Sequence, residues 1–378
     1  FALAENYLFT KEAFKDYWKA LSDSGYMSLE HQFYVPRLVP ELIEALTELG
    51  IPDPAAHFAV YDLTTLRRNV ILLSKRTLTP QLIDQAYANS QPKTLRGMRR
   101  LYPPVDSTKG NLIDAIVHAG WKSVADTARV DISPCTDDRP FIAQMGRWKN
   151  LSASRLDKIP MLETGGFPLS GIIMIVILSV CLVVIVPINL VPYVMKREKL
   201  QALPWLFFFT IGLAYMMIEV ILIQQYTLFI GSTVYSLAVV LAVLLGMSGI
   251  GSAQVEKYPP SVIFSFIIGW TVADIILFPE LVSLCGAWPL GVRLFLSGLL
   301  LAPLGYFMGM PFPKAAVRVP GLVDWAFAIN GCASVIGSVA VIFLATSFGY
   351  AAALTAALTL YGCAYMLFMR GFKNTMDA

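Results

Sequence analysis

The sequence predicts an α/β unit followed by an all-α membrane bundle of about seven transmembrane helices, and three observations carry that expectation. The chain of 378 residues is 56% hydrophobic and 15% charged, with a mean hydropathy of +0.61, too apolar for an ordinary soluble enzyme. Its charge is unevenly spread: 20 of the 29 Lys+Arg and 19 of the 26 Asp+Glu fall in residues 1–167. Apolar runs of the roughly 20 residues needed to cross a bilayer begin only after that point, whereas the first part alternates helical and strand patterns. The expected boundaries are residues 1–150 for the α/β unit, 151–167 for a linker and 168–378 for the membrane domain.

In the first part, Lys11–Ser24 places Phe14, Tyr17, Trp18 and Leu21 at helical spacing before Gly25. Tyr26–Phe33 reads as a strand, and Pro40–Leu49 as an amphipathic helix stopped by Gly50. His57–Tyr61 (HFAVY) and Asn69–Ser74 (NVILLS) read as two strands joined by a polar loop. Pro80–Asn89 and Asn111–Ala119 complete the set as helices, giving α/β material. No Gly-rich strand-to-helix turn of the nucleotide-binding kind occurs here, and Gly165-Gly166 reads as linker.

The predicted spans are Leu169–Met195, Pro204–Ile230, Val234–Val255, Ser261–Leu281, Leu290–Met310, Trp325–Thr346 and Ala351–Met369. Short turns such as Pro259-Pro260 and Ser347-Phe348-Gly349 make sequence neighbours antiparallel. Gly246, Gly249 and Gly251 with Ser248 and Ser252, and Gly331, Ser334, Gly337 and Ser338, form faces that let helix backbones approach closely. Trp205, Tyr226, Tyr235, Trp288, Trp325 and Tyr350 sit near helix ends, as interfacial anchors do.

Basic residues set the orientation. With seven crossings, Lys196, Arg197, Lys199, Lys257, Lys314, Arg318, Arg370 and Lys373 share one face, opposite the α/β unit, while the other loops hold only Arg293. That pattern makes the tail cytoplasmic and the α/β unit periplasmic. A net charge of +3, mixed in sign, argues against a nucleic-acid partner. The five Cys form no CxxC pair, and His57 and His118 have no metal-ligand spacing, so no metal is expected. The chain opens at Phe1 with neither Met nor a basic stretch ahead of an apolar one, which predicts the later portion of a longer polypeptide.

Several residues invite a functional role. Glu219 lies in mid-span, where a carboxylate needs a polar partner or a proton, with Gln224 and Gln225 a turn further on. It is either a proton or cation relay site or an interhelical hydrogen bond that locks the bundle, with Asp274 and Asn330 as the expected partners. Asp137 and Asp138 could hold an ammonium ion, although a turn in which Asp138 and Arg139 pair with each other suits the motif better. Glu30 and His31 end a strand that, in a doubly wound sheet, points toward the ligand crevice; the alternative is an exposed pair.

Certain strings resemble a known family. ENYLFTKEAFKDY resembles the segment after the active-site loop of spermidine synthases, and CTDDRPF (Cys135–Phe141) resembles the end of that domain in bacterial proteins that fuse it to membrane modules. The stretch Gly212–Ser252, GMPFPKA (Gly309–Ala315) and WAFAINGCASVIGS (Trp325–Ser338) are similar to the membrane signature of that fused family. The resemblance implies the C-terminal part of a Rossmann-like methyltransferase-type fold, decarboxylated S-adenosylmethionine as co-substrate, aminopropyl transfer to a polyamine, and the bacterial inner membrane as location. HFAVY and NVILLS suit the antiparallel hairpin that ends such sheets. The family's acidic loop, glycine-rich turn and catalytic aspartate would all precede Phe1, so no catalytic or cofactor-binding residue is assigned in this chain. A non-catalytic subunit docking other membrane subunits is the alternative, and a transporter a third.

Overall fold

The structure, a computed structural model, describes residues 5–372 except 65, 91–97 and 196–199. Lys196, Arg197, Lys199 and Lys373 of the expected basic face therefore lie outside the described residues. The chain divides into two compact units, Phe1–Ile172 and Ile173–Ala378.

The first unit is built around a four-stranded sheet of β1 (Tyr26–His31), β2 (Phe58–Leu63), β3 (Arg68–Ser74) and β4 (Met98–Tyr102), in the order β1-β3-β2-β4. Every pairing is antiparallel, with Tyr26 opposite Ser74 and Phe58 opposite Leu73. Among the described residues β1 is an edge strand with a neighbour on one side only. The period-2 pattern sends Met27, Leu29, Ile71, Leu73, Phe58 and Val60 to one face, where α1 (Lys11–Ala20), α2 (Val35–Glu48) and α4 (Leu112–Ala119) cover them. The opposite face is covered over β2, where Leu78, just before α3 (Pro80–Ser90), and Ile83 within it pack on Ala59, but Tyr26, Ser28 and Glu30 of β1 remain exposed.

Local chemistry explains the helix boundaries. The Thr10 side chain accepts from the Ala13 N–H and Asn111 from the N–H groups of Ile113 and Asp114, so α1 and α4 start on side-chain caps. Helix α2 starts five residues before the expected Pro40, because Pro36 occupies its first turn, where a missing N–H costs nothing. Strand β4 is missed by sequence reading: MRRLY carries two arginines in five residues. Residues 151–167, expected as linker, belong to the first unit. Beyond α5 (Trp121–Val124), they include α6 (Ala153–Leu156), and Asn150 just before them donates to the carbonyls of Arg129 and Gly166. Gly166 is needed there: its φ is +99°, and a Cβ would strike the Arg129 carbonyl.

A long helix, α7 (Leu169–Met195), follows the first unit's core. The second unit contains α8 (Ala202–Ile230), α9 (Thr233–Ala253), α10 (Pro260–Cys285), α11 (Leu290–Met308), α12 (Pro311–Ala316), α13 (Val323–Phe348) and α14 (Tyr350–Gly371). Six spans among the described residues are long and apolar enough to cross a membrane, with α11 and α12 together forming one. The first expected span falls on α7, whose apolar described stretch, Leu169–Ile185, is shorter. Helix α8 is central, packing on α9, α13 and α14.

Neighbouring helices alternate in direction. At one end, Lys314 Nζ donates to the Val255 carbonyl at 3.0 Å, the Arg318 guanidinium lies 4.5 Å from the Phe368 ring, and Phe208 meets Phe312 at 5.2 Å. At the other, Arg293 donates to the Phe229 carbonyl at 2.8 Å, joining the start of α11 to the end of α8. The described basic residues Lys257, Lys314, Arg318 and Arg370 thus belong to the same set of helix ends. Of the small-residue faces, Gly251 lies against the Tyr306 backbone and Gly337 against Leu213, whereas a Cβ at Gly246, Gly249 or Gly331 would meet nothing within 4 Å. Of the expected interfacial aromatics, Tyr226, Tyr350 and Trp325 are buried among neighbouring residues, whereas Tyr235 and Trp288 are exposed.

Candidate functional site

In the first unit, polar chemistry converges on Arg37, which is fully buried. Its Nε donates to the Ser133 carbonyl at 2.6 Å, and one terminal nitrogen donates to the carbonyls of Phe141 (3.0 Å) and Gln144 (2.8 Å). The other terminal nitrogen lies 3.4 Å from Asp131. One helical turn on, the Glu41 carboxyl accepts from the Cys135 N–H at 2.8 Å and lies against the Cys135 thiol. Burial pushes Glu41 up to about 8, against the opposing pull of the Cys135 N–H and Arg37 charge, and drives the neighbouring Cys135 thiol upward too. Arg37 therefore stitches the 131–144 segment onto α2, and CTDDRPF is anchored from beneath.

That anchoring defines the expected domain residues. Asp137 accepts from the Thr10 hydroxyl at 2.7 Å, and its own N–H donates to Glu12 at 3.0 Å. Burial, with Glu12 and Asp16 nearby, raises Asp137 to about 7. Arg139 closes a turn on Thr136 and pairs with Asp131 at 3.2 Å. Asp138 is exposed. The turn role suits the motif, because Asp137 and Arg139 are already engaged by the fold.

Glu30 and His31 are not a matched pair. Glu30 is exposed and bridges to Arg68 at 3.0 Å across the sheet. His31 Nδ1 accepts from the Phe33 and Tyr34 N–H groups, its ring stacks on Tyr34 at 3.9 Å, and burial lowers its pKa, so it serves as a neutral acceptor at the start of α2. Among the described residues no cluster of three or more His, Cys, Asp or Glu could hold a metal ion.

In the second unit, the expected intramembrane residues separate into different places. Glu219 is buried on α8, and among the described residues no hydrogen bond joins it to Asp274 or Asn330. Asp274 instead accepts at 3.0 Å from the hydroxyl of Tyr226, which lies about two turns beyond Glu219 on α8. Asn330 packs where α13 crosses Gly212, with its side-chain oxygen buried and without a hydrogen-bond partner. Gln225 is buried with its amide oxygen in the same condition, and Gln224 lies beside it on α8.

The structure instead joins Asp274 to a cavity of about 330 Å³ lined by Trp270, Leu277, Phe278 and Leu281 of α10 and Leu300 of α11. Trp270, Asp274, Leu277, Phe278 and Leu281 recur at helical spacing and so share one stripe of α10. The second Asp274 oxygen is buried and has no hydrogen-bond partner among the described residues. Arg37, Glu41 and Tyr226 escaped sequence reading. An Arg and a Glu at i and i+4 in the apolar VPRLVPEL was the available signal for the first two, while Tyr226 resembled an interfacial anchor. The chain matches no family profile, no curated protein and no solved structure.

Proposed function

We propose that the first unit is the later part of a spermidine-synthase-like domain of Rossmann-like methyltransferase type, carried in a bacterial inner membrane by seven crossings that include α7. The observation that best supports this is the sheet: β3 lies between β1 and β2, giving the antiparallel hairpin with which such sheets end, while the far edge and one face of β1 stay open. An open edge offers unpaired N–H and C=O groups to another strand. In this reading the donor-binding strands, supplied by polypeptide outside residues 1–378, continue the sheet from that edge. The reaction would be attack of a polyamine amine on the aminopropyl carbon of decarboxylated S-adenosylmethionine, with loss of a proton and departure of methylthioadenosine.

A non-catalytic accessory subunit is the second reading, and two observations favour it. His31, Asp137 and Arg139 are committed to structural bonds. The shared end of Lys257, Lys314, Arg318 and Arg370 also suits a cytoplasmic face opposite a periplasmic first unit, away from cytoplasmic nucleotide donors. The test is calorimetric titration of decarboxylated S-adenosylmethionine into the full natural polypeptide in detergent, followed by mass-spectrometric detection of methylthioadenosine after putrescine is added. Donor binding with product release is expected for the enzyme. Neither signal, with a membrane partner co-purifying in fixed ratio, overturns it in favour of the subunit.

A further inference from the structure

The cavity beside Asp274 has a chemical composition that selects its occupant. Its walls are aromatic and aliphatic, and the one ionisable group on them is a carboxyl. Tyr226 fixes that carboxyl by donating to one oxygen, and Tyr226 is itself held against Phe278 with ring centres 5.1 Å apart. The other oxygen is buried and unpartnered, so it lacks the donor that a buried acceptor requires. The Trp270 indole N–H is spent on the Leu300 carbonyl at 2.9 Å, so the indole cannot supply that donor and turns only its ring toward a guest.

We propose that this cavity binds an apolar amine, with its nitrogen donating to the free Asp274 oxygen and its hydrocarbon part against Leu277, Leu281 and Leu300. A carboxyl is the complement of an amine in either proton arrangement, since ammonium with carboxylate and amine with carboxylic acid both bring no net charge into the bilayer. The Trp270 and Phe278 rings add a face attractive to a cationic nitrogen. A volume near 330 Å³ is at the lower end for small-ligand sites, which suits an amine with a single hydrocarbon chain. This inference is independent of the spermidine-synthase-like reading, because it rests on α8, α10 and α11 alone.

The test uses the full chain in lipid nanodiscs and two photoreactive probes of equal length, a decylamine and a decanol that each carry a diazirine, with labelled peptides mapped by mass spectrometry. The expected result is amine labelling within residues 270–300 at about 10-fold the alcohol level, the scale of one charge-assisted hydrogen bond. Asp274→Asn keeps an acceptor for Tyr226 and should erase that preference, leaving amine and alcohol within about 2-fold, while Ala273→Phe should fill the space and suppress both. Equal labelling of the unaltered protein by the two probes, meaning that the cavity only accommodates acyl chains, overturns the proposal, as does undiminished amine preference in Asp274→Asn. Should Asp274→Asn fail to fold, the amine-to-alcohol ratio on the unaltered protein decides by itself.

Discussion

Arg37 in the first unit and Asp274 in the second are both charged residues set among apolar side chains, yet their surroundings are treated in opposite ways. Arg37 has carbonyls from Ser133, Phe141 and Gln144 and the Asp131 carboxylate arrayed around it. Asp274 lines a cavity, with Tyr226 donating to one oxygen and the other buried without a hydrogen-bond partner among the described residues. Water drives the first unit together, so its interior can be closed completely around a polar hub. Between membrane helices that drive is absent, and cohesion comes from close backbone approach, as where Gly251 meets Tyr306 and Gly309 meets Ser248. A buried polar hub therefore ties the 131–144 segment into the first unit, whereas close backbone approach at small residues joins the helices of the second.

The largest expected effect comes from removing the hub. Arg37→Met strands the carbonyls of Ser133, Phe141, Ile142 and Gln144 and leaves Asp131 to Arg139, and should destabilise the first unit by about 3–5 kcal/mol, read as a lower urea midpoint in pulse proteolysis of the full chain. A loss below about 1 kcal/mol would break the comparison. In the second unit, Gly251→Val drives a side chain into the Tyr306 backbone and should cost about 1–3 kcal/mol in unfolding within mixed micelles. Gly246→Ala, with open space around it, should stay within about 0.5 kcal/mol and serves as the matched control.

The pH response sharpens the account of the first unit. Asp137 is raised from 3.8 to about 7, so the folded state holds its proton more tightly than the unfolded chain does. Its contribution is complete at about pH 4 and below and fades as pH climbs toward 7. Glu41 acts in the same direction over a range reaching about 8. Asp137→Asn, which still accepts from Thr10, should gain on the order of 1 kcal/mol relative to the unaltered chain on going from pH 5 to pH 8. The smallest effect is expected at the exposed pair: Arg68→Ala should change stability by less than about 0.5 kcal/mol.

The division into two units was legible because charge and hydropathy are one-dimensional signals, and most helices and the β2–β3 hairpin followed from periodicity. Strand β4 was not, because Arg99 and Arg100 are paired with Asp62 and Asp84 and so lie in a sheet despite their charge. The site was less legible still. Sequence reading chose Glu219, Gln224, Gln225, Asp274 and Asn330 for their polarity in apolar runs, but which of them share a place depends on helix rotation, and α10 faces Tyr226 rather than Glu219 with its acid. Arg37 was overlooked because a buried arginine is legible only through carbonyls nearly a hundred residues away.

The account depends most on helices α8–α14 crossing a bilayer with alternate directions. Single cysteines at Ser232, Ala287, Lys257 and Val319, placed in a chain lacking its five native cysteines, can be probed with a membrane-impermeant maleimide on intact and on permeabilised cells. Ser232 and Ala287 should react together on one side of the membrane and Lys257 and Val319 on the other, with the latter pair labelled only after permeabilisation. Equal reaction of all four positions in intact cells would contradict the crossing arrangement.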